Sequence, residues 1–321
     1  MTLGRKTRFA AIAALTAVSL ICGCSLGPKQ VAAQSPPIPP LQYVGAWGVK
    51  GTDPGQLDQP TSIATDVRGN VYIADAGSQF IDKFQPTGTP LLSFQDERLK
   101  HPQSIAVDRG GAIYVTDPVR ASVFIFLPDG SRYREIRLQT RPNAENTLDV
   151  AVCDDGSMSI LDVNASKVFG FSPSLRLAHI WKPGTEASSG SGRPESVAAG
   201  PVDTVFVSGI SANSLLRYDD GKLTSQIALG NSPQGDPSSV SAAARIGDQF
   251  AVSSNYIFAS DADGRKLHVW TLDGKPKADI DLSPELGPNQ RFAPPIAVSP
   301  MNDLLILDSQ QARVLHYHIN L

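Results

Sequence analysis

Few side chains in this chain are placed to do chemistry, and those that are recur at matching points of a repeated pattern. Just ahead of successive short apolar runs stand Gln59, His101, Gln103, Asn146, Asp149, Arg193 and Glu195. Two carboxylates set against an imidazole and a guanidinium make a polar, uneven collection, of the kind that binds a polar ligand through charge-assisted hydrogen bonds. Catalytic signatures are missing. There is no Ser-His-Asp spacing, no phosphate-binding glycine loop and no Cys-x-x-Cys pair. Zinc needs three or four ligands, and the chain has five histidines. His316 and His318, two apart, share one face of a strand without a third ligand in sequence. No catalytic residue, metal or cofactor is expected on these grounds.

A second set of acids is more numerous: Asp66, Asp75, Asp108, Asp117, Asp162, Asp261 and Asp308. Their recurrence at strand ends points to structure, because such an Asp accepts N–H groups of its own turn or faces a Lys or Arg of the next strand. A catalytic pair needs an asymmetry that a repeated residue lacks.

The elements that must position these groups form six units. The residue closing the second apolar stretch of each is Asp75, Asp117, Asp162, Gly209, Asp261 and Asp308, at intervals of 42 to 52 residues. A period in the forties made of short strands predicts β-propeller blades. In the first unit, residues 60–75 read as two strands joined by a Gly turn, residues 80–84 as a third and residues 91–94 as a fourth. The second unit repeats this over residues 102–136. In the fifth, the first strand reads as 240–244 or as 250–253. The sixth unit supplies only three strands, the last over residues 313–319, and the run Leu41–Trp47 is left over to complete that blade. Closure of the ring leaves only short edges open to aggregation. The predicted fold class is all-β, a six-bladed propeller closed by an N-terminal strand. In such a ring, the seven polar residues named above line one mouth of the central channel.

The best-kept copies are Pro60-Thr-Ser-Ile63-Ala-Thr-Asp66 with Val71-Tyr-Ile-Ala-Asp75, and Pro102-Gln-Ser-Ile105-Ala-Val-Asp108 with Ile113-Tyr-Val-Thr-Asp117. Basic-aliphatic pairs follow in three other units: Lys167-Val168, Lys266-Leu267 and Arg313-Val314. On these residues the chain resembles the NHL-repeat proteins over residues 41–321. Ser62 and Ser104 replace that family's Gly, Phe80, Ser122 and Ser214 replace its basic residue, and Gly209 replaces its Asp. The resemblance implies the six-bladed ring. It also supplies enzymatic contrasts. The amidating lyase of the superfamily holds zinc with a His from each of three blades, whereas only His101 lies in the ring here. Calcium lactonases of similar shape use converging Asn, Asp and Glu, for which Asn146, Asp149 and Glu195 are the nearest counterparts.

Residues 1–23 read as a lipoprotein signal peptide: Arg5, Lys6 and Arg8, then an apolar run over residues 9–21, too short for a membrane span. Leu20-Ile-Cys-Gly-Cys24-Ser25 marks Cys24 as the lipidated residue. Residues 24–40 then form a Pro-rich linker able to reach about 50 Å at roughly 3 Å per residue, and residues 41–321 the propeller. Ser25, rather than Asp, points to the outer membrane of a bacterial envelope, facing the periplasm or the exterior. Loss of three basic residues with the leader takes the net charge from −3 to about −6, which disfavours nucleic acid. Cys153 is then the only unmodified cysteine, so no intrachain disulfide forms, and it is expected to be buried and inert.

The function expected from the sequence is a lipid-anchored, non-catalytic scaffold that binds a protein, peptide or glycan of the envelope. Rigid blades with variable loops suit that role. The alternative is a channel-centred, metal-dependent hydrolase, lactonase or lyase.

Overall fold

A computed structural model describes residues 39–142, 145–185, 192–211, 214–229, 246–261, 263–287 and 292–321. The leader, Cys24 and most of the linker lie outside the described residues, as do residues 186–191 and the 240–244 candidate strand.

The propeller begins with β1 (Leu41–Trp47). Blade one holds β2 (Pro60–Thr65), β3 (Val71–Asp75), β4 (Ile81–Phe84) and β5 (Pro90–Phe94). Blade two holds β6 (Ile105–Val107), β7 (Ile113–Asp117), β8 (Ser122–Phe126) and β9 (Arg132–Arg137). Blade three holds β10 (Leu148–Val152), β11 (Met158–Asp162), β12 (Lys167–Phe171) and β13 (Leu177–Trp181). Blade four holds β14 (Val197–Gly200), β15 (Thr204–Ser211), β16 (Ser214–Asp219) and β17 (Lys222–Ala228). Blade five holds β18 (Ile246–Val252), β19 (Tyr256–Asp261), β20 (Lys266–Thr271) and β21 (Pro276–Asp281). A short helix, α1 (Ser283–Leu286), precedes blade six, with β22 (Ile296–Val298), β23 (Asp303–Asp308) and β24 (Arg313–Ile319). Each blade is one four-stranded antiparallel sheet, and β1 is the fourth strand of blade six. The chain is therefore a six-bladed β-propeller, closed as predicted, with Leu41 opposite Ile319 and Trp47 opposite Val314. In blade five the first described strand runs from Ile246 to Val252 and takes in residues 250–252 of the 250–253 run.

Sheets buried on both faces select continuous apolar runs, whereas half-exposed ones alternate. The second strands Val-Tyr-Ile-Ala-Asp, Ile-Tyr-Val-Thr-Asp and Met-Ser-Ile-Leu-Asp are buried at every residue. The outer strands β5, β9 and β13 contain exposed and half-buried residues and no buried one.

Six apolar clusters fill the six junctions between blades. Near the axis each junction sets an alanine of one blade against a larger residue of the next: Ala64 with Ile105, Ala106 with Val150, Ala151 with Val197, Ala198 with Phe250, Ala251 with Ile296, and Ala297 with Ile63. Sheets radiating from one axis crowd together there, so only a methyl fits at native packing density. Farther out the gap widens, and every junction takes at least one aromatic ring from a third strand, Phe84, Phe126, Phe171, Tyr218, Trp270 or Tyr317, with Phe124 and Phe169 as second rings in two of them. Graded side-chain size along each blade thus sets the ring's taper. Trp47 of β1 lies 5.0 Å from the Phe84 ring across the closing junction.

Candidate functional site

The inner strands all begin at the same end of the ring, and in blades one to three the segment leading into the inner strand is pinned by the Asp that ends the second strand. Asp75 accepts the N–H groups of Asp58 at 2.6 Å, Gln59 at 3.0 Å, Gly77 at 2.9 Å and Ser78 at 3.1 Å. Asp117 takes those of Lys100 at 2.6 Å, His101 at 3.4 Å and Arg120 at 3.3 Å. Asp162 accepts the Thr140 hydroxyl and the Ala165 N–H, and Asp308 accepts the Gln311 N–H and Arg313 Nε. The repeated acids are structural, as the repetition implied.

Three of the seven rim residues are spent on holding blades together. Gln103 donates from Nε2 to the Asn146 carbonyl at 3.3 Å and accepts the Leu148 N–H at 2.7 Å. Asn146, 4% exposed, accepts the N–H groups of Thr147 and Asn164. Asp149 is a keystone between three blades. It accepts the hydroxyls of Ser104 and Ser196 at 2.6 Å each, and the N–H groups of Val150 at 3.0 Å and Val197 at 2.8 Å. Burial pushes its carboxyl above the usual range, against the downward pull of those four bonds.

Asp149 is one station of a circumferential belt. In blades one to three the residue before the leading aliphatic accepts the next blade's N–H: Ser62 from Ile105 at 3.2 Å, Ser104 from Val150 at 3.3 Å, Asp149 from Val197. Thr61 and Thr116 reinforce it by donating to the carbonyls of Pro102 and Leu148. Thr116 stands in the second strand beside the repeated Asp, and nothing in the sequence pattern marks it for this role.

Gln59, His101, Arg193 and Glu195 remain. Gln59 and Arg193 are exposed; His101 and Glu195 are half-buried. Four of the five histidines face a carboxylate: His179 with Asp220 at 3.8 Å, His268 with Asp279 at 2.7 Å, and His316 and His318 with Asp303 at 3.3 and 3.1 Å. Among the described residues, the His101 ring meets none. It stands at the rim with both nitrogens uncommitted to the described residues.

At the opposite mouth, where the first and second strands turn, lies a cavity of about 140 Å³ lined by residues that include Thr65, Asp66, Val107, Asp108, Arg109 and Cys153. Its acids are committed. Asp66 takes the Arg68 and Asn70 N–H groups and the Tyr72 hydroxyl, and Asp108 takes the Ala112 N–H and the Tyr114 hydroxyl. Cys153 is 3% exposed, and burial pushes its thiol up to about 12, so it is not a nucleophile.

A divalent ion does not fit the rim. The oxygens of Asp149 and Asn146 that would bind it are filled by protein donors, and among the described residues no three His, Cys, Asp or Glu are grouped to hold a metal.

No protein-family model matches the chain, and no curated protein matches it in sequence. Solved structures do match in fold. A streptogramin B lyase is 14% identical, with a TM-score of 0.58 over 87% of this chain and 99% of that one. A gluconolactonase from Xanthomonas campestris is 15% identical, with a TM-score of 0.57 over 87% of this chain and 89% of that one. A virginiamycin B lyase from Staphylococcus aureus is 14% identical, with a TM-score of 0.55 over 88% of this chain and 89% of that one. Likeness at this identity establishes the propeller fold. These neighbours are enzymes, and on that finding the expectation of a non-catalytic binding scaffold is corrected.

Proposed function

We propose that the chain is a ring-opening enzyme, a lactonase or a lyase, working at the rim end of the channel with His101 as the proton acceptor. One observation carries the reading: His101 is the histidine that no described carboxylate holds, and it sits half-buried on the rim of a fold whose solved neighbours are lyases and a lactonase. Both reactions begin with removal of a proton, from water in hydrolysis and from carbon beside a carbonyl in elimination, and an imidazole is suited to either. Arg193, exposed on the blade-four side of the same rim, supplies the positive charge that a developing oxyanion needs. Asp149, with every oxygen engaged, holds blades two to four in place and serves the scaffold rather than the reaction.

The test offers the purified full-length protein a gluconolactone and a streptogramin B and follows the products by mass spectrometry. Hydrolysis adds the mass of one water and elimination leaves the mass unchanged. His101→Ala is expected to lose at least about 100-fold in rate, with circular dichroism unaltered. An unchanged rate in that variant, or no ring opening of either substrate, sinks the proposal.

The placement of the enzyme belongs to the same proposal. It is an NHL-type envelope lipoprotein held to the membrane through Cys24. Cys24→Ala is expected to move the chain from the detergent phase to the aqueous phase in phase partition.

A further inference from the structure

The third strands of the six blades can be aligned by register. Opposite Ile73, Val115, Ile160, Val207, Ala259 and Ile306 stand Asp82, Phe124, Phe169, Leu216, His268 and Leu315. Four of these are apolar and pack into blade junctions. His268 is polar but has Asp279 at 2.7 Å. Asp82 has no such partner. It is 0% exposed. Its Oδ1 accepts the Gly55 N–H at 3.1 Å and the Ser93 hydroxyl, while among the described residues Oδ2 meets no donor. A buried carboxylate with one oxygen unpaired is costly to ionise.

The segment it holds is the one that closes the ring. Residues 48–59 connect β1, the closing strand, to β2. Leu57 of this connection is fully buried in the junction between blades six and one. Two carboxylates clamp it: Asp82 at the Gly55 N–H, and Asp75 at the N–H groups of Asp58 and Gln59. Within the connection, Gly51 N–H reaches the Leu57 carbonyl at 3.0 Å and Leu57 N–H the Val49 carbonyl at 2.9 Å. Asp75 has both oxygens filled by backbone donors, whereas Asp82 has one oxygen filled and one empty.

We infer that Asp82 is a proton-operated latch on the ring closure. With its carboxyl protonated, the connection lies sealed against blade one. Ionisation drives the connection open, so that water reaches Oδ2. Burial pushes the carboxyl up to about 6, and Asp75, an anion facing it from β3, pushes the same way. The Ser93 hydroxyl from β5 and the Gly55 amide from the connection pull it down without cancelling the rise. Because the folded value is raised, the sealing is complete below the ordinary carboxylate value of 3.8 and is lost as pH climbs through about 6. The latch is shut on the acid side and loosened above neutrality. Its opening reaches the rim through Gln59, at the end of the connection, and leaves His101 and Arg193 in place.

Hydrogen exchange of the full-length protein tests this when rates are expressed as protection factors, with the intrinsic pH dependence divided out. From pH 5 to pH 8, protection of residues 48–59 is expected to fall by about tenfold, within the hundredfold ceiling that a shift of roughly two units sets. Protection of β3 is expected to hold. Asp82→Asn removes the pH step, and Asp82→Leu, which installs the residue of blades four and six, keeps the connection protected at both pH values. A pH-independent protection in the parent protein, or the same fall retained in Asp82→Asn, would overturn the latch. So would a fall shared equally by β3, since that reports loosening of the whole blade. Titration of the labelled Asp82 carboxyl by carbon NMR gives an independent check: a midpoint near the ordinary value also overturns it.

Discussion

Blade one and blade four build the same corner of the propeller from different materials. In blade one, β3 ends at Asp75, whose carboxylate gathers four backbone N–H groups and holds the segment that leads into β2. In blade four, Gly209 takes that place at φ +88°, and β15 runs on to Ser211. A Cβ at Gly209 would lie 2.2 Å from the Arg193 carbonyl oxygen and 2.7 Å from Glu195 Cγ. The backbone of the rim segment occupies the space, with Gly192 N–H on the Ile210 carbonyl and Glu195 N–H on the Ser208 carbonyl, both at 3.1 Å. The Glu195 bond has its match in clamped blade two, Gln103 N–H on the Thr116 carbonyl, so what stands in place of the side-chain clamp is the added backbone rung from Gly192 to Ile210. The exchange lays Arg193 and Glu195 against β15 and makes the rim of blade four unlike the others, which is where a sixfold scaffold gains the asymmetry that a site requires.

Removing the clamp from blade one is the largest expected break. Asp75→Ala strands four part-buried N–H groups at once, and the urea midpoint should fall by the equivalent of about 3 to 5 kcal/mol with the slope unchanged. A loss under about 1 kcal/mol would mean that water replaces the carboxylate and that the clamp is dispensable.

Imposing the clamp on blade four should cost less. Gly209→Asp restores the repeat residue but places a side chain at positive φ against backbone atoms that have nowhere to go. A loss of about 2 to 3 kcal/mol is expected. Gly209→Ala should show most of it, since the overlap begins at Cβ. If Gly209→Asp instead folds with parental stability, the close approach of residues 193–195 is wrong, and blade four can be rebuilt like blade one.

These two blades also show how much was legible in the sequence. The ring, its closure by Leu41–Trp47 and the structural use of the repeated Asp were readable because each is written several times, and repetition averages out degenerate copies. The substitution of Gly209 was visible, yet its consequence was not, since the sequence does not say which backbone fills the space a side chain leaves. Asp149 read as a ligand-binding acid because its neighbours Ser104 and Ser196 stand 45 and 47 residues away; their convergence exists only once blades two to four are curved round the axis. His101 was named for its place on the rim. What distinguishes it from His179, His268, His316 and His318 is a set of Asp partners that strand pairing and, for His179, the neighbouring blade bring together.

The belt that passes through blade three offers a gentler test of the same contrast between side-chain and backbone fastening. Asp149→Asn turns one acceptor into a donor facing the Ser196 hydroxyl or the Val197 N–H, at a cost of about 1 to 2 kcal/mol. Because burial raises the Asp149 carboxyl in the folded chain, its contribution is complete below the ordinary carboxylate value and declines as pH rises through the folded one. The gap between parent and variant should therefore be widest in acid and narrow toward alkaline pH, as read from paired thermal melts. A gap that widens with pH would mean that Asp149 is held as a stabilised anion.

The smallest effect is expected where blade three departs from blade one without losing a fastening. In blades one and two, an Asp at the end of the inner strand accepts a Tyr hydroxyl, Asp66 with Tyr72 and Asp108 with Tyr114. Blade three changes both partners together. Cys153 stands where the Asp was, and Ser159, opposite Ala151, stands where Tyr72 lies opposite Ala64. Without the Tyr hydroxyl, a carboxylate there would lose a donor, and a thiol that only approaches the Thr204 carbonyl at 3.7 Å fills the space at little cost. Cys153→Ala should shift the melting midpoint by the equivalent of about 1 kcal/mol or less, and a thiol reagent should label the parent only as it unfolds. Fast labelling of the folded protein would show that the cavity at this mouth admits reagents, and that blade three is open where blades one and two are pinned.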